Sequence, residues 1–77
     1  MVVIVKNYID QSIMIDDLGI EIENNNQIDL SDLFSFFEII SSNDLKKSIN
    51  ENNLVINNGI CDLNIEDAID YITFRES

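Results

Sequence analysis

Apolar residues in this chain change their spacing at Ser31, from a period near two to one near four, and that switch restricts the architectures open to it. Before it, Val2-Val3-Ile4-Val5, Ile13-Met14-Ile15, Ile20-Glu21-Ile22 and Ile28-Asp29-Leu30 are short, largely β-branched runs separated by Asp, Asn and Gly. Runs that alternate, or that stay apolar for only a few residues, suit strands. After it, Leu33, Phe36, Phe37 and Ile40 share one face of a helical wheel. Strands first and helices afterwards predict an α+β domain: a small N-terminal β-meander, two short central helices, a C-terminal β-hairpin and a final helix.

In detail, residues 1–9 read as the first strand, with an apolar run suited to burial on both faces. Asp16-Asp17-Leu18-Gly19 is a hairpin turn in which Gly19 is free to take positive φ, and Asn24-Asn25-Asn26 is a second turn. A first helix over 32–41 is expected, with Ser31 and Asp32 at its positive end. Ser42 or Asn43 caps a second helix carrying Leu45 and Ile49; Asn52-Asn53 closes it, and Lys46 and Lys47 lie inside it rather than in its last turn. Residues 54–56 return to strand, Asn57-Asn58-Gly59 is a type I′ turn signal, and residues 60–63 form the returning strand. Asn64 caps a last helix with Ile65, Ala68, Ile69 and Ile72 on one face, and residues 74–77 are expected to fray.

The 77 residues make one domain with a small core, spanning 1–77. Fifteen isoleucines within a 45% apolar composition supply enough burial to offset the entropy of ordering. Fifteen carboxylates against four cations (Lys6, Lys46, Lys47, Arg75) leave a net charge of −11. Contact with nucleic acid or an anionic membrane needs cations to replace counterions, so neither is an expected partner; a basic protein is. The longest apolar stretches fall well short of the about 20 residues that cross a bilayer. One cysteine forms no internal disulfide and no signal-peptide pattern opens the chain, so synthesis in a reducing cytoplasm is expected.

Reactive constellations are missing. There is no histidine, so Cys61 has no base and reads as a small core hydrophobe in its strand; Ser31 and Ser35 also lack one. A calcium loop ending its acidic half on Gly19 begins at Met14, and one ending on Gly59 begins at Leu54, so neither places a carboxylate first. Two acids across a sugar-sized cleft need more wall than this length supplies. Asp16-Asp17, Glu21/Glu23, Asp29/Asp32 and Glu66/Asp67/Asp70 read as solvated faces and helix ends. Length, acidity and Ser31-Asp32-Leu33 invite comparison with acyl carrier proteins, but those are helical bundles with the serine between the acid and the leucine, and here Ser31 precedes Asp32. No catalytic, cofactor or metal residues are expected.

Phe34 and Ile39 flank the stripe of the first helix, leaving it apolar over more than half its circumference, more than so small a core readily encloses. The strings Ile15-Asp16-Asp17-Leu18-Gly19-Ile20, Ile28-Asp29-Leu30-Ser31-Asp32-Leu33-Phe34, Ser42-Asn43-Asp44-Leu45 and Leu54-Val55-Ile56-Asn57-Asn58-Gly59 resemble small structural proteins of tailed bacteriophage particles, over about residues 2–72. The chain departs from that pattern at Asn24-Asn25-Asn26, in place of a glycine-containing turn, and at Ile60-Cys61, in place of smaller polar residues.

The resemblance implies a non-enzymatic virion component made in the host cytoplasm: an accessory capsid, neck or tail/fibre-adaptor subunit, present in many symmetric copies against a larger or more basic virion protein. Under it, Val2, Val3, Ile4 and Val5 are candidates to extend a partner's sheet, and Phe34, Phe36, Phe37 and Ile39 to anchor a contact. The alternative class is an acidic DNA-mimic inhibitor of a host nucleic-acid-binding or defence protein, which calls for carboxylates spaced like phosphates and few exposed apolar residues. A third class, an immunity-type protein that neutralises a basic toxin, follows the same electrostatic logic.

Overall fold

A computed structural model describes residues 2–73. Its centre is β1 (Ile4–Asn7), which pairs antiparallel on one side with β4 (Gln27–Asp29) and on the other with β5 (Leu54–Asn57). Val5 lies opposite both Ile28 and Ile56, so one face of the three strands is apolar and continuous. Val3, Val5, Leu54 and Ile56 are fully buried there, whereas Ile4, Lys6 and Val55 face the other way and are only half-buried. The expected burial of the first strand on both faces is therefore corrected to one. The expectation that residues 2–5 extend a partner's sheet is corrected too: both sides of Ile4 and Val5 already carry ladder partners, and Val3 and Val5 have no exposed surface.

The α+β class is as expected, but the strands do not form a continuous meander. β2 (Ile13–Ile15) and β3 (Ile20–Ile22) form a separate two-stranded sheet around the Asp16-Asp17-Leu18-Gly19 turn, where Gly19 has φ +68°. Ile13, Ile15 and Ile22 point into the core, and Met14 and Glu21 point out. The separation has a local cause in Asn7. Its backbone N–H donates to Asn26 O and its own carbonyl accepts from Asn25 N–H, so β1 is committed to the segment leading into β4. Its buried side chain faces the other elements: Nδ2 donates to Gln11 O and Ile22 O, each at 2.8 Å, and Oδ1 accepts from Ile9 N–H at 3.0 Å. The amide turns the chain away from β1 and seats β3 beside its end.

The helices follow. A 3-10 turn (Leu30–Asp32) leads to α1 (Phe36–Ile40) and α2 (Asn43–Asn50), and α3 (Ile65–Thr73) follows β5. Ser42 caps α2 and Asn64 accepts the Asp67 N–H at the start of α3, both as read from the sequence. Lys47 lies in the last turn of α2, correcting its placement further inside. The single helix over 32–41 is broken into the 3-10 turn and α1, because Ser35 and Glu38 form a capping box that starts the helix at Phe36. The returning strand over 60–63 reduces to one bridge, Asn57 with Asp62, across a four-residue loop, and the type I′ turn expected at Asn57-Asn58-Gly59 does not form, since Asn58 does not take the positive φ it requires. Asn58 Oδ1 takes the N–H groups of Ile60 and Cys61 at 2.9 and 3.0 Å, withdrawing those donors from any ladder, and Cys61 is exposed rather than in the core.

One core joins both sheets to the helices: Val3, Val5, Ile13, Ile15, Ile22, Leu30, Ile39, Leu45, Ile49, Leu54, Ile56, Ala68 and Ile72. Tyr71 OH donates to Val2 O at 2.6 Å, fastening α3 to the beginning of the chain. Among the described residues, no buried side-chain nitrogen or oxygen lacks a hydrogen bond. The fraying expected of residues 74–77 lies outside the described residues.

Replacing Asn7 with Ala strands the Ile9 N–H and the buried Ile22 carbonyl and leaves the Gln11 carbonyl to water, and is expected to cost on the order of 3 kcal/mol in urea unfolding. Asn7→Asp is expected to be at least as damaging at neutral pH, since a carboxylate donates to neither carbonyl.

Candidate functional site

An apolar groove is built where the β2–β3 turn meets the corner between the 3-10 turn and α1. Leu18 from the turn, Phe34 from the corner and Phe37 from α1 line an open groove of about 360 Å³, rimmed by Asp17, Glu38, Ser41 and Ser42. Phe37 is 68% exposed, and Leu33, next to Phe34 in the chain, is 59% exposed. These residues are held, not draped. Asp29 Oδ1 accepts from Ser31 N–H at 3.0 Å, Ser31 Oγ at 2.6 Å and Val3 N–H at 3.3 Å, and so ties the 3-10 turn to the start of the sheet. Leu33 and Phe34 N–H both donate to Leu30 O.

The opposite wall is fixed by a clip between turn and helix. Ser42 Oγ donates to Asp17 Oδ1 at 2.6 Å, Asp44 N–H donates to Asp17 Oδ2 at 3.2 Å, and Asp17 N–H donates in return to Asp44 Oδ2 at 3.1 Å. Asp17, distant in sequence, thus supplies negative charge at the N-terminus of α2, where orphan N–H groups and the helix dipole favour it. Ser42 Oγ also accepts Leu45 N–H at 3.1 Å. Across the groove, Glu38 Oε1 accepts Ser35 N–H at 2.8 Å. Both rim carboxylates are held in place while keeping lone pairs for a visitor.

The contact candidates read from sequence are redistributed. Phe37 is exposed and Phe34 half-buried, and these two share the groove; Phe36 is half-buried. Ile39 is fully buried, correcting its role as an anchor: α1 is only five residues long and starts at Phe36, so its inward side points Ile39 into the core and turns Phe37 out. Val2 and Ile4 are half-buried away from the groove, and Val3 and Val5 are core. The sequence signals Leu18 and Leu33 only weakly, as an apolar residue inside an otherwise polar turn and one on the predicted stripe.

A second cluster lies on the outer face of the sheet. Asp62 Oδ1 meets Lys6 Nζ at 3.1 Å and accepts from Asn57 Nδ2 at 2.8 Å, and Tyr8 OH donates to Oδ2 at 3.4 Å. The Asn57 amide, then Lys6, holds the Asp62 carboxyl below its ordinary range, and Asp62 raises Lys6 in turn. This is a surface staple across β1, β5 and the 58–62 turn. Among the described residues no three acid, cysteine or histidine side chains converge on a metal position, and no helix is long and apolar enough to cross a membrane.

Comparison with protein-family models, curated proteins and solved structures finds no match to this chain.

Ser42→Ala is expected to cost about 2 kcal/mol, because it strips both Leu45 N–H and Asp17 of a partner. Hydrogen bonds from Ser31 hold the Asp29 carboxyl below its ordinary 3.8. Ionisation is thus favoured by folding, so the stabilisation is full above that range and is lost as pH falls through the lowered folded value. Asp29→Ala should be less stable by about 1 kcal/mol at neutral pH, with the gap to the parent closing below about pH 4 in pH-stepped urea melts. Since Lys6–Asp62 is the one ion pair among the described residues and the net charge is −11, raising sodium chloride from about 0.05 to 0.5 M should raise Tm by several degrees.

Proposed function

We propose that this chain is a non-enzymatic subunit of a tailed-phage particle, an accessory capsid, neck or tail/fibre-adaptor component, held in place by protein–protein contacts. The observation that carries the contact part of this reading is the exposure of Phe37 in the groove it lines with Phe34 and Leu18, together with that of Leu33, next to Phe34 in the chain. Single exposed apolar residues are ordinary; several large ones gathered on a fixed frame, in a chain this acidic, have the makeup of an interface. The assignment to a phage particle rests on the sequence resemblance across residues 2–72.

Charge narrows the partner. Copies at −11 repel one another, so an assembly with many of them interleaves them with a more basic subunit or spaces them apart. A DNA mimic would trade apolar surface for rows of free carboxylates, and here two rim carboxylates serve the fold's own caps while phenylalanine meets solvent.

Mass spectrometry of particles purified from a host carrying the gene in its phage context is expected to find the chain in fixed ratio to the major structural proteins. Phe37→Ser should lower its incorporation severalfold while leaving the stability of the isolated protein within about 0.5 kcal/mol. Fixed-ratio binding to a soluble nuclease, with no chain in the particle, would overturn the proposal.

A further inference from the structure

The groove between the β2–β3 turn and α1 has a chemistry that selects its occupant, and the inference drawn from it rests on the contact reading above. We infer that it receives a basic amphipathic segment of another protein, one large apolar side chain entering between Leu18, Phe34 and Phe37, with lysine or arginine on either side meeting Asp17 and Glu38.

Three observations carry this. The apolar residues that line the groove are Leu18, Phe34 and Phe37, and the charged side chains that line it are carboxylates only, so its charge complement is an apolar residue between cations. Both carboxylates are immobilised in advance, Asp17 by Ser42 Oγ and Asp44 N–H, and Glu38 by Ser35 N–H, so an incoming cation meets acceptors that need no further ordering. A second copy of the chain is a poor occupant, because it brings eleven further net negative charges to a site already lined by acids. Of the four cations in the sequence, Lys6 is held by Asp62 on the sheet and Lys47 lines a different depression with Met14 and Asp16. No lysine or arginine lines the groove itself, so a partner supplies the positive charge.

The probe is a short synthetic amphipathic peptide of leucine and lysine, titrated into the full isotopically labelled chain. Amide shifts are expected at Leu18, Leu33, Phe34 and Phe37, with affinity falling as salt rises. A peptide of the same charge with serine in place of leucine should bind about tenfold more weakly. Phe37→Ser should weaken the leucine–lysine peptide about tenfold, and Glu38→Gln, which keeps an acceptor for Ser35 N–H, should weaken it severalfold and flatten the salt dependence. Ile60→Ser, at a residue 90% exposed that does not line the groove, should change nothing.

The inference is overturned if the serine peptide binds as tightly as the leucine one, if Ile60→Ser weakens binding as much as Phe37→Ser, or if Phe37 proves to hold two copies of the chain together in light scattering. Failure of the functional reading looks different. There, the peptide occupies the groove as described, yet Phe37→Ser leaves particle incorporation unchanged. Conversely, loss of incorporation in Phe37→Ser without peptide binding leaves that reading standing and removes this one.

Discussion

The side-chain amide of Asn7 is the point on which the arrangement of both sheets depends. It sits at the end of the central strand, fully buried, and its two N–H donors and one carbonyl oxygen are spent on three backbone groups in two stretches, the 9–11 segment and β3. A buried amide left unpaired is costly, so this position accepts the fold only with β3 and the 9–11 segment where they are. An aliphatic residue of similar size would satisfy the core equally well and leave the hairpin unanchored. The hydrophobic effect, which is non-directional, collapses the core isoleucines of this chain without choosing among ways of stacking two small sheets. Asn7 supplies the direction.

A second set of directional contacts arranges the acids so that they work against their own repulsion. Asp17 and Asp44 exchange carboxylate and backbone N–H across the turn and the start of α2, Asp29 caps the 3-10 turn, and Glu38 closes the capping box of α1. Asp17, Asp29 and Glu38 each face backbone N–H groups at a helix start that would otherwise lack a partner, and Asp44 faces one in the β2–β3 turn. The net charge of −11 therefore contains a minority of carboxylates that stabilise locally, within a majority that repel at longer range. That division explains how so acidic a chain keeps a folded state with few cations.

The groove is a by-product of the same short elements. Burying one isoleucine is worth about 2 kcal/mol, and α1 contributes Ile39 to the core at the expense of turning Phe37 outward. In a longer helix the next turn would return another apolar residue to the core and shelter the phenylalanine. With five residues, bounded by Ser35 and Ser41, there is no next turn. The exposed aromatic thus follows from the position of a capping serine, and its frame is rigid because both walls end in caps.

Much of this was legible in the residues. The periods of two and near four mark strand and helix, Gly19, Asn25 and Asn52 take the positive φ expected of their turns, and Ser42 and Asn64 cap the helices they precede. These are local matters, settled by steric freedom and by hydrogen bonds a few residues long. The groove is only half legible: the apolar helix points to Phe34 and Phe37, but helical spacing also offers Ile39, which the short α1 turns into the core, and gives no reason to single out Leu18 in its turn. By itself, the order of residues determined an acidic α+β domain, its turns at Gly19, Asn25 and Asn52, and the apolar stock from which a core is drawn. Tertiary structure alone decided that β1 lies between β4 and β5 rather than at an edge, that residues 60–63 do not return as a strand, and which phenylalanine meets water. Each of those outcomes turns on which distant partner a backbone or side-chain group finds, and period and propensity carry no information about partners far along the chain.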